Sequence, residues 1–363
     1  FGANVLLKNT KIGNTTDFDG ITTLNNISNG KHTIVISFIG FKTIERNLVF
    51  PRDNSLVIIK LQEDEEALET IIIQATRSKR TIAKTPTRIE VVGLEELGEK
   101  AVMNSANIAM LLRESTGIQM QQTSANSANQ SIRIQGLDGR FTQLLKDGFP
   151  LFGGFSSGLS IMQIPPLDLQ QVEIVKGSSS TLYGGGAIAG LVNLVSKTPK
   201  EEKQLDIMLD ITSRNGKTLN AFYSNRNDKF GLTLYASGHL QKETDVNEDH
   251  FSDIPKVKNV SINPSFFYYP NDQETFRFSL NSSIENRIGG DLDVINGNSN
   301  TEHSFFEENK SERYATQLTY NNDISDNKSF NFKNSFSFFK RDLMLPNYQF
   351  LGKQFATFTE ATY

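Results

Sequence analysis

The stretch Gln171–Val195, QVEIVKGSSSTLYGGGAIAGLVNLV, decides how this chain folds. Its glycines at 184–186 invite comparison with a phosphate-cradling loop, but no Gly-Lys-Ser/Thr follows them and no G-x-G-x-x-G opens a helix after a strand. Close backbone approach inside a crowded interior is the expected reason for them. Two pieces lie upstream, Ser131–Leu137 (SIRIQGL) and Gln143–Leu151 (QLLKDGFPL). Ile132 and Ile134 alternate with polar residues, as a half-buried strand requires, and Asp147-Gly148 predicts a tight turn. Between Asn107 and Glu114 the residues Ile108, Leu111 and Leu112 share one helical face, with Gly117 placed to end the helix.

In this order and separation the pieces resemble the plug-domain motifs of TonB-dependent receptors: an IRI-x-G strand, a DG-x-P turn, and a VEI-V-basic-Gly…LYG-x-GA-x-x-G-x-x-N strand pair. An ordered set of this kind is far more specific than one glycine-rich match. The resemblance implies a mixed α+β plug over residues 86–200. Its structural motif falls on Arg133, Gly136, Asp147, Gly148, Glu173, Lys176, Gly177, Tyr183, Gly184, Gly190 and Asn193. Gln135 and Lys176 stand where the family often carries arginine, which predicts weakened or rearranged ionic contacts between plug and barrel.

Outward toward the N-terminus, residues 1–62 alternate β-type runs with turns: Asn4–Lys8, Gly20–Leu24, Lys31–Phe38 and Leu56–Leu61. Asn29-Gly30 gives a hairpin signal between two of them, and a small β-sandwich is predicted. The stretch GANVLLKNTKIGNTTDFDGITTL…GKHTIVISFIGFK resembles the carboxypeptidase-regulatory-like domain that precedes many such receptors; no zinc ligands and no peptidase accompany it. Residues 63–85 read as a linker, in which the acidic run Glu63-Asp64-Glu65-Glu66 gives way to a β-branched segment and then to Arg77, Lys79 and Arg80. An isolated β-branched segment exposes backbone groups that a partner can pair with by adding a strand. LETIIIQATR resembles the TonB-box region, so Ile71, Ile72, Ile73, Gln74 and Ala75 are candidates for docking a TonB-type energy-coupling protein in the periplasm. The same residues also fit the last strand of the first domain or the first strand of the plug.

Toward the C-terminus, residues 201–363 turn to long strands of period two. Phe230, Leu232, Leu234 and Ala236 alternate with Gly231, Thr233 and Tyr235; Phe330, Phe332, Phe336 and Phe338 oppose Asn331, Lys333, Ser335 and Ser337. One face is apolar and the other polar, which fits both a soluble sandwich and a transmembrane barrel. Connection lengths favour the barrel: those at Asn227-Asp228, Asn271-Asp272 and Ser325-Asp326 are short, while Lys242–Lys256, Gly289–Glu312 and Asp342–Lys353 are expected to be long. Arg214–Lys217 is short on the side expected to be external. Phe267, Tyr268 and Tyr269 are expected in an interfacial aromatic girdle. About eight strands are predicted, whereas a plugged transporter barrel has about 22. The expectation is therefore a chain cut from a longer product that continues beyond Tyr363, at roughly 10 residues per strand. Phe1, with no methionine or signal segment before it, is expected to follow a missing beginning.

Bulk composition narrows the function. A formal net charge of -4, from 37 basic and 41 acidic residues, supplies no basic face for nucleic acid. No apolar stretch nears the roughly 20 residues of a spanning helix, so crossing a membrane requires a closed barrel. With no cysteine, disulfides and thiolate chemistry are excluded. His32, His239, His250 and His303 show no metal-ligand spacing and read as solvated side chains, so neither a cofactor nor an enzyme is expected.

What the resemblance implies is a mainly β receptor of the bacterial outer membrane, with a lipid bilayer around its barrel and a small-molecule nutrient as cargo. A ferric siderophore or haem is the first expectation for that nutrient, since LYGGGAIAG and the plug length are more similar to iron-compound receptors. Cobalamin, a glycan, or a non-transporting adhesion or assembly role are the alternatives. Candidate ligand contacts lie on two plug loops: Gln122, Ser124, Asn126 and Asn129 within Gln121–Gln130, and Leu151, Phe152 and Phe155. These loops could also simply fill the lumen.

Overall fold

Short β-branched runs broken by Gly and Asn favour strands and turns over helices, and the N-terminal residues pair accordingly. A computed structural model describes the chain outside residues 1, 9, 11, 18, 39–40, 52–56, 62–71, 76–79, 82–88, 125, 152–158 and 326–327. It divides into two units, Phe1–Ile73 with Arg80–Lys84 and Gln74–Lys79 with Thr85–Tyr363.

The first unit holds β1 (Asn4–Leu7), β2 (Gly13–Thr15), β3 (Gly30–Phe38) and β4 (Phe41–Phe50) in one antiparallel sheet of order β2-β1-β3-β4. Leu7, Ile34 and Ile36 form its core, and extended segments carrying Leu24, Ile27, Ile59 and Leu61 pack against it as the second layer. The expected strands at Gly20–Leu24 and Leu56–Leu61 are therefore corrected: the described parts of both are irregular chain that caps the core, Leu56 lying outside the described residues. The Asn29-Gly30 hairpin is corrected too. Gly30, at φ +131, opens β3, but residues 21–28 before it form no strand; β3 pairs with β1 and with β4, to which it is matched at Phe38↔Phe41. β5 (Ile72–Ile73) pairs with β6 (Arg80–Thr81).

In the second unit β7 (Ile89–Val92) leads into a helix, Leu94–Met103, which the sequence reading missed and which buries Leu97 and Ala101, one turn apart. A second helix, Ala109–Glu114, falls within the predicted Asn107–Glu114; Asn107 Oδ1, two residues ahead, accepts from Ala109 N at 3.0 Å, and Ile108, Leu111 and Leu112 are buried. β8 (Ile118–Gln122) and β9 (Gln130–Ile134) form a hairpin. β10 (Thr142–Lys146), β11 (Phe149–Pro150), β12 (Leu169–Lys176) and β13 (Gly190–Ser196) complete a five-stranded sheet of order β11-β10-β13-β12-β7. Asp147 (φ +55) and Gly148 (φ +78) make the predicted two-residue turn, both with the positive φ it demands. One face of this sheet, with Val172, Ile174, Val192 and Leu194, packs on both helices and on Ile132 and Ile134.

The crowding expected at Gly184–Gly186 is found elsewhere. A Cβ at Gly184 or Gly185 would meet nothing within 4 Å and one at Gly186 only the end of Gln143, whereas at Gly190 it would sit 2.2 Å from the Val175 carbonyl oxygen. Gly190 is the position where β13 can approach β12 only without a side chain.

Eight antiparallel strands follow in chain order: β14 (Gln204–Ile211), β15 (Gly216–Arg226), β16 (Phe230–Gln241), β17 (Lys256–Asn271), β18 (Glu274–Gly290), β19 (Phe306–Ser325), β20 (Lys328–Leu345) and β21 (Tyr348–Thr362). Their burial inverts that of a soluble sheet. Leu205, Ile207, Leu209 and Ile211 are 64–66% exposed and Phe230, Phe266 and Phe355 more than half, while Asn220, Ser224, Ser279 and Asn309 are at most 1% exposed. The polar face is covered by the plug; a continuous apolar face of this size is what lipid solvates. An aromatic row runs across that face near the short connections, from Phe230 through Tyr268, Phe276 and Tyr320 to Phe330. Tyr268 is the member of the expected 267–269 girdle that joins it; Phe267 and Tyr269 point the other way, stacked with each other and against Arg277 and Arg226. The connections 242–255 and 291–305 are long, but β20 and β21 are joined by only Pro346-Asn347, which corrects the long loop expected at Asp342–Lys353. Residues there continue the period-two pattern, and both strands simply extend.

Phe278→Arg on the apolar face should lower the stability of the protein in lipid vesicles by about 2–4 kcal/mol, measured by denaturant titration, with Lys310→Arg near neutral. Equal stability for Phe278→Arg would mean that this face meets something other than lipid.

Candidate functional site

Because the sheet turns polar side chains inward, each must find a partner on the plug or on a neighbouring strand. Near the long connections the tip of the β8–β9 hairpin is seated on the sheet: Ser124 and Ser127 hydroxyls donate to Glu307 at 2.6 and 2.7 Å, and Arg287 donates to the Ser127 carbonyl at 3.1 Å. A Cβ at Gly289 would lie 1.7 Å from the Asn126 carbonyl oxygen, so the sheet leaves a gap for this tip. Midway, Gln163 donates to Glu285 (3.2 Å) and Ser311 (2.7 Å) and accepts from Arg313 Nε. Ser105 donates to Asp210 at 2.9 Å and its carbonyl accepts from Asn220 at 2.8 Å.

The strongest anchor is at the Asp147-Gly148 turn. Asp147 accepts from Ser196 N (2.8 Å) and Ser196 Oγ (2.9 Å) and pairs with Arg277 at 2.8 Å, while Lys333 donates to its carbonyl at 3.2 Å. Burial opposes ionisation of this carboxyl, yet the charges of Arg277 and Lys146 and the Ser196 bond hold it below the usual carboxylate range. Lys146 itself makes a buried pair with Asp168 at 2.7 Å. Lys176, expected to bear on contacts between plug and barrel, instead pairs with Glu90 on the neighbouring strand of the plug. Gln135 takes φ +53 and its N–H bonds to the Gly117 carbonyl, so it serves a turn beside Gly136.

Of the docking candidates, Ile71 lies outside the described residues, Ile72 and Ile73 form β5, and Gln74 and Ala75 leave the strand to sit on the plug. There the Glu173 carboxylate accepts from Gln74 N at 2.8 Å and from Ala75 N at 2.7 Å, and Tyr183 OH donates to the Ala75 carbonyl at 2.9 Å. The motif residues Glu173, Tyr183, Asn193, Gly148 and Asp147 thus gather at one place, although far apart in sequence. Arg133 and Gly177 stand away from it, in β9 and just after β12.

Among the ligand-contact candidates, Gln122 is an exposed end of β8, Ser124 is held by Glu307, Asn126 lies under Gly289, Asn129 is buried, and Phe152 and Phe155 are outside the described residues. Leu151 lines a cleft between plug and sheet of about 750 Å³, part of it open to solvent, with Phe149, Ile164, Asn281, Gln317 and Ser335. The reading of every histidine as merely solvated is corrected at three: His32 Nε2 bonds to the Ser28 carbonyl at 3.0 Å within the first unit. His239 faces inward and shares a hydrogen bond with Thr218, and His303 lies 2.7 Å from Asp291, within a group with Asp293 whose donor atoms fall within 4.8 Å of one another. The Asp291 bond, acting first, raises the pKa of His303, and the pair closes the 291–305 connection on itself. Sequence spacing hid this group because the loop folds back between its members.

A sheet that is apolar outside and polar inside, with a small mixed domain seated against its polar face, defines a plugged outer-membrane barrel protein. The TonB-dependent Receptor Plug Domain matches residues 81–191, and the CarboxypepD_reg-like domain matches residues 1–73. The vitamin B12 transporter BtuB of Vibrio vulnificus is 23% identical over 181 residues, 50% of this chain and 29% of its own length. The ferric aerobactin receptor of Klebsiella pneumoniae is 28% identical over 134 residues, 37% of this chain and 18% of its own length. In fold, the siderophore receptor PirA of Acinetobacter baumannii superposes with a TM-score of 0.59 at 18% identity, over 74% of this chain and 43% of that one. The chain thus spans less than half the length of each relative. It belongs to the TonB-dependent receptors, as a CarboxypepD_reg-like domain, a plug and antiparallel barrel strands, and its location is the outer membrane.

Asp147, with a folded pKa below its ordinary 3.8, adds stability that is complete above that value and lost as pH falls through the depressed one. An acid titration of thermal stability should therefore show a limb below about pH 4 that Asp147→Asn abolishes, at a cost near pH 7 of about 3 kcal/mol; an unchanged limb would exclude the pair as the anchor. Gly289→Val should unseat the hairpin tip and open Asn126–Ser127 to protease, and full protection in that variant would contradict the seat described.

Proposed function

We propose that the chain works in an energised receptor that carries a scarce nutrient across the outer membrane. A ferric siderophore, or another iron compound such as haem, is the nutrient this reading favours. The single observation that carries it is how the plug is held: by separate point contacts, in which neutral groups of Ser105, Ser124, Ser127 and Gln163 donate to the wall carboxylates Asp210, Glu307 and Glu285, together with the Asp147–Arg277 ion pair. Bonds of this kind, to charged groups, have a net worth of about 1.5–3 kcal/mol each, and because they are separate they can be exchanged one at a time, so traction can rearrange the plug while the strand ladder of the barrel stays intact. The iron preference rests on the LYGGGAIAG motif and plug length, and on similarity to a ferric aerobactin receptor and to the fold of a siderophore receptor. Cobalamin is the second reading, favoured by the similarity to vitamin B12 transporters.

In this reading a TonB-type periplasmic protein pairs with Ile71–Ala75, and cargo meets the loops carrying Gln122, Ser124, Asn126 and Leu151. Strand addition needs free backbone groups, and Gln74 and Ala75 offer theirs only after leaving Glu173. Deleting Thr70–Thr76 from the receptor expressed at full length should abolish growth on a ferric siderophore as sole iron source while binding of that siderophore to cells persists. Undiminished growth would reject energised uptake through this segment.

A further inference from the structure

Glu173 has no exposed surface, and its carboxylate is filled by four N–H donors. Oε1 accepts from Gln74 N (2.8 Å) and Gln171 Nε2 (2.7 Å), and Oε2 from Ala75 N (2.7 Å) and Asn193 Nδ2 (2.9 Å). Two of these donors belong to the segment that must come away for a partner to pair with it. Withdrawing that segment removes two charge-assisted bonds together and leaves a buried carboxylate half-satisfied, which is costly in a low-dielectric site.

Asn193 faces Glu173 across the β12–β13 register and uses its other end as well, its Oδ1 accepting from Gly148 N at 3.0 Å. Gly148 belongs to the turn that Arg277 and Lys333 of the barrel sheet hold through Asp147. An unbroken hydrogen-bonded path therefore runs from Ala75 through Glu173, Asn193 and the Asp147-Gly148 turn to the barrel wall.

We infer that Glu173 is the positioning residue that holds Gln74–Ala75 on the plug, and that Asn193 ties this hold to the Asp147–Arg277 anchor. Docking of the segment and anchoring of the plug are then coupled: loosening either weakens the other. The purpose of this coupling rests on the energised-uptake reading, but its test does not.

The Gln74 side chain is exposed and the 363 residues contain no cysteine, so Gln74→Cys accepts a nitroxide label with little disturbance. In the full-length receptor in outer-membrane vesicles, the label should be mostly immobile. Glu173→Gln replaces one acceptor oxygen by an NH2 group that faces other N–H donors, and should raise the mobile fraction about tenfold; a spectrum identical to the parent would overturn the assignment. Arg277→Ala should raise the mobile fraction by itself and add nothing further in the Glu173→Gln background, whereas independent, additive increments would overturn the path through Asn193. If Glu173→Gln does not assemble, Tyr183→Phe, which removes the bond to the Ala75 carbonyl, takes its place in the same cycle and must also mobilise the label. Label mobility does not depend on uptake, so normal growth after deletion of Thr70–Thr76 would reject the transport reading and leave this result standing.

Discussion

Much of the inner face of the barrel sheet is polar and buried, and the rest of the structure follows from the need to satisfy it. Asn220, Ser279, Asn309 and Glu285 are all nearly inaccessible, a condition that costs free energy unless each is hydrogen-bonded. The plug supplies part of that satisfaction. Its attraction to the wall is therefore polar matching rather than apolar burial, and the hydrophobic effect is kept for two other tasks: closing the plug's own core around Ile108, Leu112, Ile134 and Val192, and presenting Leu and Phe to lipid. Separating the forces in this way lets the plug stay folded while its contacts with the wall change.

Those contacts are unequal. Ser124, Ser127, Ser105 and Gln163 are neutral donors on the wall's carboxylates, charge-assisted bonds with no counter-charge on the plug side. The Asp147–Arg277 pair is different, since neither side chain is more than 16% exposed and breaking it strands a buried charge. The plug thus offers neutral groups to the wall near the long connections and a charge near the short ones, beside the segment that Glu173 holds.

Much of this was legible in the sequence because strands leave a period-two record. Alternation at Phe230–Ala236 gave the apolar face, and Asp147-Gly148 gave the turn, because few other residue pairs accept two positive φ values in succession. Asn29-Gly30 misled for a related reason: the dipeptide states what the backbone permits, while pairing depends on whether the flanking runs meet, and β3 found better partners in β1 and β4. The helix Leu94–Met103 was hidden because only Leu97 and Ala101 are buried on it, too few for a periodic signal. Sites assembled across long sequence distances left no local trace. Glu173 meets Ala75, 98 residues away, and Gln163 meets Ser311; the residues could be named as motif members but not connected.

The polar interruptions of β12 and β13 show what sequence could say about that site. Glu173 sits between Val172 and Ile174, and Asn193 between Val192 and Leu194, in short runs whose neighbouring residues are buried and apolar. The flanking residues of both face the plug core, so Glu173 and Asn193 share the opposite face by the pleat alone. A carboxylate and an amide at matched positions on one buried face need donors from outside the sheet. Asn193 and Gln171 each bring one from within the sheet, and the remaining lone pairs of Glu173 are left for N–H groups of another segment. Gln74 and Ala75 meet that requirement, and so the buried charge that weakens the sheet locally is the same feature that fixes where the preceding segment rests.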